Sequence, residues 1–168
     1  MSIKNYIPNV EDREFITSLG HWTGEASWVP GPIGSHVGIL SIAIELTAHI
    51  YAVSLQFPYF KTPPGTTFVI YYSFAFIPAS EPEAWMIHSL FNGVSHVFGF
   101  GGYYVPDGIW KNQTSYFTVP PGWNQSDVRF MIRCGRSGGS PIAIYWDNFS
   151  APYLSPTRTD HIMVVGVH

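Results

Sequence analysis

Along most of this chain apolar and polar side chains alternate one for one, the repeat of strands buried on one face. The clearest block lies between Trp110 and Ser150. In Thr114–Val119, Ser115, Phe117 and Val119 point one way and Tyr116 and Thr118 the other. In Val128–Cys134, Val128, Phe130, Ile132 and Cys134 alternate with Arg129, Met131 and Arg133. In Ile142–Trp146, Ile142, Ile144 and Trp146 oppose Ala143 and Tyr145, and the same phase carries on to Asp147. Pro120-Pro121-Gly122 and the run from Gly135 to Pro141 separate these segments, because proline removes a ladder donor and glycine admits unusual dihedrals. The pattern predicts consecutive strands of an antiparallel sandwich.

The remainder reads the same way. Gly38–Glu45 sets Leu40, Ile42 and Ile44 against Ser41, Ala43 and Glu45, and Ile50–Phe57 sets Tyr51, Val53, Leu55 and Phe57 against Ala52, Ser54 and Gln56. Thr66–Ile77 is apolar on both faces, which predicts a strand in mid-sheet. His21–Trp28 alternates loosely. Ala84–Phe91 and Ser95–Phe100 predict a hairpin closed by a two-residue Asn92-Gly93 turn, and Gly99, Gly101 and Gly102 predict a bend before Tyr103. Ile3–Ile7 predicts a short strand, and Glu11-Asp12-Arg13-Glu14, the densest charge cluster, a solvated loop. No helical period is sustained. About ten strands result, the number a two-sheet jelly roll needs. The fold class is therefore all-β, a single antiparallel β-sandwich filling residues 1–156. The strand-like run His161–Val167 makes 157–168 a tail, either an edge strand of its own subunit or a strand added to a neighbour's sheet.

Length and composition narrow the function. With 168 residues, 46% of them hydrophobic and 17% aromatic, the chain builds one domain with a real core and is no disordered segment. Charged residues are only 11%, which leaves a surface that is polar but neutral, or covered by a partner. The eight lysines and arginines are scattered and the net charge is −3, so the basic stripe of a nucleic-acid binder is missing. Cys134, the single cysteine, alternates with apolar residues and reads as an inert buried thiol. The N-terminal Met1–Tyr6 shows no apolar signal-peptide region, and apolar runs stay below the ~18 residues that span a bilayer, so no membrane insertion is expected. Without a secretion signal the sequons at Asn112, Asn124 and Asn148 read as chance.

Three pieces carry a resemblance: the W-x-x-x-x-x-Y-F-T-V-P run at Trp110–Pro120, the strand V-R-F-M-I at Val128–Ile132, and the closing I-Y-W-D-N-F-S at Ile144–Ser150. Near the N-terminus, Ile7-Pro8-Asn9 and Gly20-His21-Trp22-Thr23-Gly24 add an opening strand and a buried tryptophan. Together they resemble the jelly-roll carbohydrate-binding modules appended to glycoside hydrolases and found in some phage structural proteins. The likeness runs from Tyr6 to Ser150. It implies a sugar site either in a groove across the concave sheet or at the loop edge. It also implies a structural calcium held between the first and last strands, with Asp147 of the W-D-N run as the matching aspartate and Asn9 and Glu11 on the N-terminal side. Asp147 reads equally as a turn residue bonding to backbone.

Sugar binding needs rings to stack on the apolar faces of sugars and polar partners for the hydroxyls. The outward-facing set supplies Tyr71, Tyr116, Tyr145, Arg129 and Arg133, with Gln56 and His88 as hydrogen-bonding partners. Loop aromatics, Trp28, Tyr59, Trp85, Tyr103, Tyr104 and Trp123, are the second set. The plainer reading packs the tyrosines against the second face of the sandwich and pairs the arginines in surface salt bridges; the arginine row also fits an anionic sugar or a neighbour's acidic residues. Trp22 and Trp146 read as core. No H-x-x-x-H or H-x-H spacing defines a transition-metal site. No G-x-S-x-G elbow occurs, and Glu25, Glu45, Asp107, Asp127 and Asp147 sit at strand ends and turns rather than as a catalytic pair. The chain therefore reads as a non-enzyme. Two functions follow: a non-catalytic carbohydrate-binding module that binds a polysaccharide or glycan, secreted as part of a larger protein; or a phage virion structural protein, a capsid decoration or tail or fibre component, partnered by copies of itself or by capsid proteins at the virion surface.

Overall fold

The computed structural model describes residues 5–29, 39–44, 51–56, 65, 67–77, 79, 83–136 and 142–152. The predicted strand His161–Val167 and the loop aromatic Tyr59 lie outside them. Ten strands are described: β1 (Thr23–Gly24), β2 (Ser27–Val29), β3 (Ile39–Ile44), β4 (Tyr51–Gln56), β5 (Thr67–Ile77), β6 (Ala84–Phe91), β7 (His96–Tyr104), β8 (Lys111–Thr118), β9 (Arg129–Arg136) and β10 (Ile142–Ser150). They form two antiparallel five-stranded sheets, ordered β1-β4-β9-β6-β7 and β2-β3-β10-β5-β8. The all-β sandwich expected from the sequence is what the chain forms.

The core between the sheets is the inward half of each alternation. Phe130, Ile132 and Cys134 of β9, Ile142, Ile144 and Trp146 of β10, and Phe68, Ile70, Tyr72, Phe74 and Phe76 of β5 are all buried. Trp146 Nε1 reaches Met86 Sδ of the opposite sheet at 3.3 Å, and Trp22 packs on Phe149 with ring centres 4.7 Å apart. β5 lies inside its sheet between β10 and β8, and its outward Val69, Ser73 and Ala75 are buried as well. Burial pushes the Cys134 thiol well above its ordinary pKa, so it stays protonated and inert.

Four expectations change. The charged run is a helix, α1 (Val10–Glu14): the Asn9 side-chain Oδ1 caps it by accepting the Glu11 N–H at 2.9 Å, and Phe15 ends it in the left-handed region at φ 49°. Asp12 within it is fully buried, its carboxylate taking the His21 N–H and facing His21 Nδ1 at 3.0 Å. The β6–β7 hairpin has a four-residue loop, because Phe91 pairs with His96 and the Asn92 side chain accepts from Val94 N and Ser95 N. The glycines at 99, 101 and 102 do not end the strand but lie inside β7. Finally, β8, β9 and β10 are consecutive in sequence but not neighbours: β9 belongs to one sheet, β8 and β10 to the other.

Candidate functional site

That last point divides the predicted ligand set. Tyr71, Tyr116 and Tyr145 sit on β5, β8 and β10 and face outward from one sheet. Arg129, Arg133 and the position of Gln56 lie on β9 and β4 of the other. Alternation tells inside from outside; it does not tell which outside. His88 is on neither surface. It is fully buried, with Nε2 2.7 Å from the Tyr72 hydroxyl and Nδ1 3.0 Å from Ser115 Oγ. It thus ties β6 of one sheet to β5 and β8 of the other. Burial lowers its pKa from 6.5 to about 4, so at neutral pH it is an uncharged core hydrogen-bonding group and reaches no ligand on the sheet surface.

The positions expected to hold calcium each make hydrogen bonds of their own. Asn9 caps α1. The Glu11 carboxylate accepts from Thr17 N and Ser18 N, which holds it below the ordinary carboxylate range. Asp147 is 1% exposed and accepts the Asn148 N–H at 2.8 Å; burial, reinforced by the Glu14 charge and opposed by that hydrogen bond, pushes it up to about 7. Asn148 turns through φ 57° where the β5–β10 register shifts, which is the backbone-bonding turn role weighed for Asp147. Among the described residues, no three His, Cys, Asp or Glu side chains come together as a metal cluster.

The chemically richest surface is the outer face of the sheet β1-β4-β9-β6-β7. Its cross-strand registers set four rows side by side. One end row holds Gly135, Trp85 and Tyr103; the next, Ala52, Arg133, Ile87 and Gly101; the third, Ser54, Met131, Ser89 and Phe98; the last, Gln56, Arg129, Phe91 and His96. Gly135 has a local reason. A Cβ there would stand 2.8 Å from Trp85 Cζ2, so the missing side chain is the space over which the indole lies. Tyr103 beside it is 74% exposed. The two rings, with Ile87, Gly101 and Gly102, line a cavity of about 300 Å3. A second of about 360 Å3, lined by Ile87, Phe98, Gly99 and Gly101, shares part of its floor.

An irregularity in β7 brings the exposed aromatics together. His88 pairs with Phe100 but Ser89 with Phe98, so Gly99 is an extra residue. The insertion shifts the outward phase from even positions, His96 and Phe98, to odd ones, Gly101 and Tyr103. At the far end the His96 ring stacks between Phe91 and Phe98 at 4.3 and 5.3 Å and its Nδ1 meets Ser89 Oγ at 3.0 Å. Burial and the nearby Arg133 charge lower its pKa. The guanidinium of Arg129 lies 5.5 Å above Phe91 and that of Arg133 5.9 Å above Phe98.

Of the residues predicted from sequence, Arg129, Arg133 and the position of Gln56 therefore fall in the rows of this face, as do Trp85 and Tyr103 from the loop-aromatic set, which are strand residues here. Trp28 and Tyr104 instead pack against the core, Trp28 with its Nε1 donating to Phe15 O at 2.7 Å, and Trp123 also lies against it. Phe91, His96 and Phe98 were not anticipated. The alternation of Trp85, Ile87, Ser89 and Phe91 against Ala84, Met86, His88 and Leu90 carried half of that signal. The inserted Gly99 hid the other half.

No family model matches the sequence, and no curated protein does. Solved structures do resemble it in fold. A family 16 carbohydrate-binding module superposes with a TM-score of 0.53 at 14% identity, over 80% of this chain and 92% of that one. A family 22 xylan-binding domain from Paenibacillus barcinonensis gives 0.59 at 15%, over 84% and 98%. A Clostridium thermocellum xylanase pairing such a module with its catalytic domain, in complex with xylohexaose, gives 0.64 at 8%, over 85% of this chain and 28% of that one. The chain thus has the sandwich of the carbohydrate-binding modules it was expected to resemble. Among the described residues no helix is long and apolar enough to cross a membrane.

Proposed function

We propose that the chain is a non-catalytic carbohydrate-binding module and that sugars bind the outer face of the sheet β1-β4-β9-β6-β7. The observation that carries this reading is the Trp85–Tyr103 pair. Two rings directly opposite on neighbouring strands stand over a glycine floor and leave a cavity of about 300 Å3 between them and the sheet. An aromatic platform costs little entropy to hold and fits the apolar faces of pyranose rings, while Arg129 and Arg133 on the same face supply hydrogen-bond donors for the hydroxyls. Supporting it is the fold shared with modules that bind xylan. The virion-structural alternative draws no support from those likenesses.

Tryptophan fluorescence titrated with a panel of soluble polysaccharides, xylan and galactan among them, tests the proposal. Trp85 is the half-exposed indole on the proposed face, so binding shifts the emission of the wild type, and the shift disappears in Trp85→Phe. A shift of unchanged size in the variant would place the ligand elsewhere.

A further inference from the structure

Arg129 and Arg133 stand on the same side of β9, four residues and so about 13 Å apart along the strand, at two rows of the aromatic face. Neither forms a hydrogen bond or a salt bridge with any described residue, and the Nε of each is buried without an acceptor. Their contacts are the Phe91 and Phe98 rings, which hold the guanidinium planes without neutralising them. Lys111 shows the contrast, clasped by both oxygens of Asp107 at 2.6 and 2.7 Å. Of the residues in the four rows of this face, none is Asp or Glu. Glu25, past the end of β1, is a nearby carboxylate, its N–H donating to Ala52 O, yet no described carboxylate is hydrogen-bonded to either arginine, in a chain whose net charge is −3.

Resting on the sugar-binding reading above, we infer that the ligand is an acidic polysaccharide, whose anionic substituents are received by Arg129 and Arg133 while its ring faces stack on Trp85 and Tyr103. A guanidinium presents a planar fork of donors matched to paired anionic oxygens, on a carboxylate or a sulfate alike. A neutral sugar would leave both cations partly desolvated and unpaired. Two such sites spaced along one strand select a polymer that repeats its charge. The overall negative charge of the chain works against diffuse attraction to polyanions, so the selectivity is local to this face.

Affinity electrophoresis of the full chain through gels containing polygalacturonate, dextran sulfate or neutral xylan decides the matter. The wild type is expected to be retarded more by an acidic polymer than by xylan, and less so at high salt. Retardation by polygalacturonate alone marks the anion as a carboxylate, by dextran sulfate alone as a sulfate. The double variant Arg129→Gln/Arg133→Gln, which keeps an amide donor at each position for sugar hydroxyls, should lose about tenfold or more of its affinity for the acidic polymer and a markedly smaller share of its retardation by xylan. Melting temperatures within a degree or so of wild type confirm that a surface change was made. Equal or greater retardation by neutral xylan, or an unaltered acidic affinity in the double variant, overturns the inference and leaves the sugar-binding reading standing. Retardation by none of the polymers overturns both.

Discussion

Trp85 shows how the pose of a candidate site residue depends on a neighbour's missing side chain. Its exposed pose depends on Gly135, and Gly135→Ala would put a methyl group within 2.8 Å of the indole. The ring must lift, at a cost of about 1–3 kcal/mol if the sheet resists; the measurable outcome is a lower urea midpoint together with weaker polysaccharide binding. His88 makes the opposite case, a polar residue consumed by the core. Its loss in His88→Leu leaves the buried Tyr72 and Ser115 hydroxyls of the facing sheet without this partner, and an equilibrium unfolding experiment should report about 1–3 kcal/mol of destabilisation with little change in sugar affinity. Two buried groups also set the pH dependence. His88, held below its ordinary value at about 4, contributes stability that is complete above 6.5 and lost as pH falls toward 4. Asp147, raised to about 7 from an ordinary 3.8, works in reverse: its contribution is complete below 3.8 and lost as pH rises through 7. Asp147→Asn should therefore flatten the decline in stability between pH 4 and pH 7, read from urea midpoints; an unchanged slope would show that the carboxyl is not held protonated. Inside and outside were legible at this scale, since the inward set of β9 and β10 is buried as alternation predicts.

Elements carry what alternation cannot. The strand runs were readable because one face of each is apolar, but their ends were not. β7 continues through Gly99, Gly101 and Gly102, residues that read as a bend, because pairing with β6 along its whole length supplies the hydrogen bonds that keep a glycine-rich segment extended. The inserted Gly99 then rotates the strand's phase and gathers Phe98 and Tyr103 on one surface, a consequence of pairing that a single sequence does not display. The helix α1 was missed for a related reason. It is only five residues long, and its buried member is Asp12, whose burial depends on a partner nine residues later, His21. A charge cluster is solvated unless the fold brings it such a partner.

For the whole molecule, the sandwich itself was accessible from the count and spacing of strands, and sheet membership was not. Consecutive strands β8, β9 and β10 cross between sheets, so residues read as one outward set, Tyr71, Tyr116, Tyr145, Arg129 and Arg133, occupy two opposite sides of the domain. This separation makes the central claim testable by comparing faces. Isothermal titration with one polysaccharide that the wild type binds, on Trp85→Ala and Tyr116→Ala in parallel, sets a half-exposed ring of the proposed face against a 61% exposed ring of the other sheet. The account predicts that Trp85→Ala weakens binding by about tenfold or more, on the order of 1.5 kcal/mol, and that Tyr116→Ala binds like the wild type. Full binding by Trp85→Ala with loss in Tyr116→Ala would contradict it and move the site to the opposite sheet.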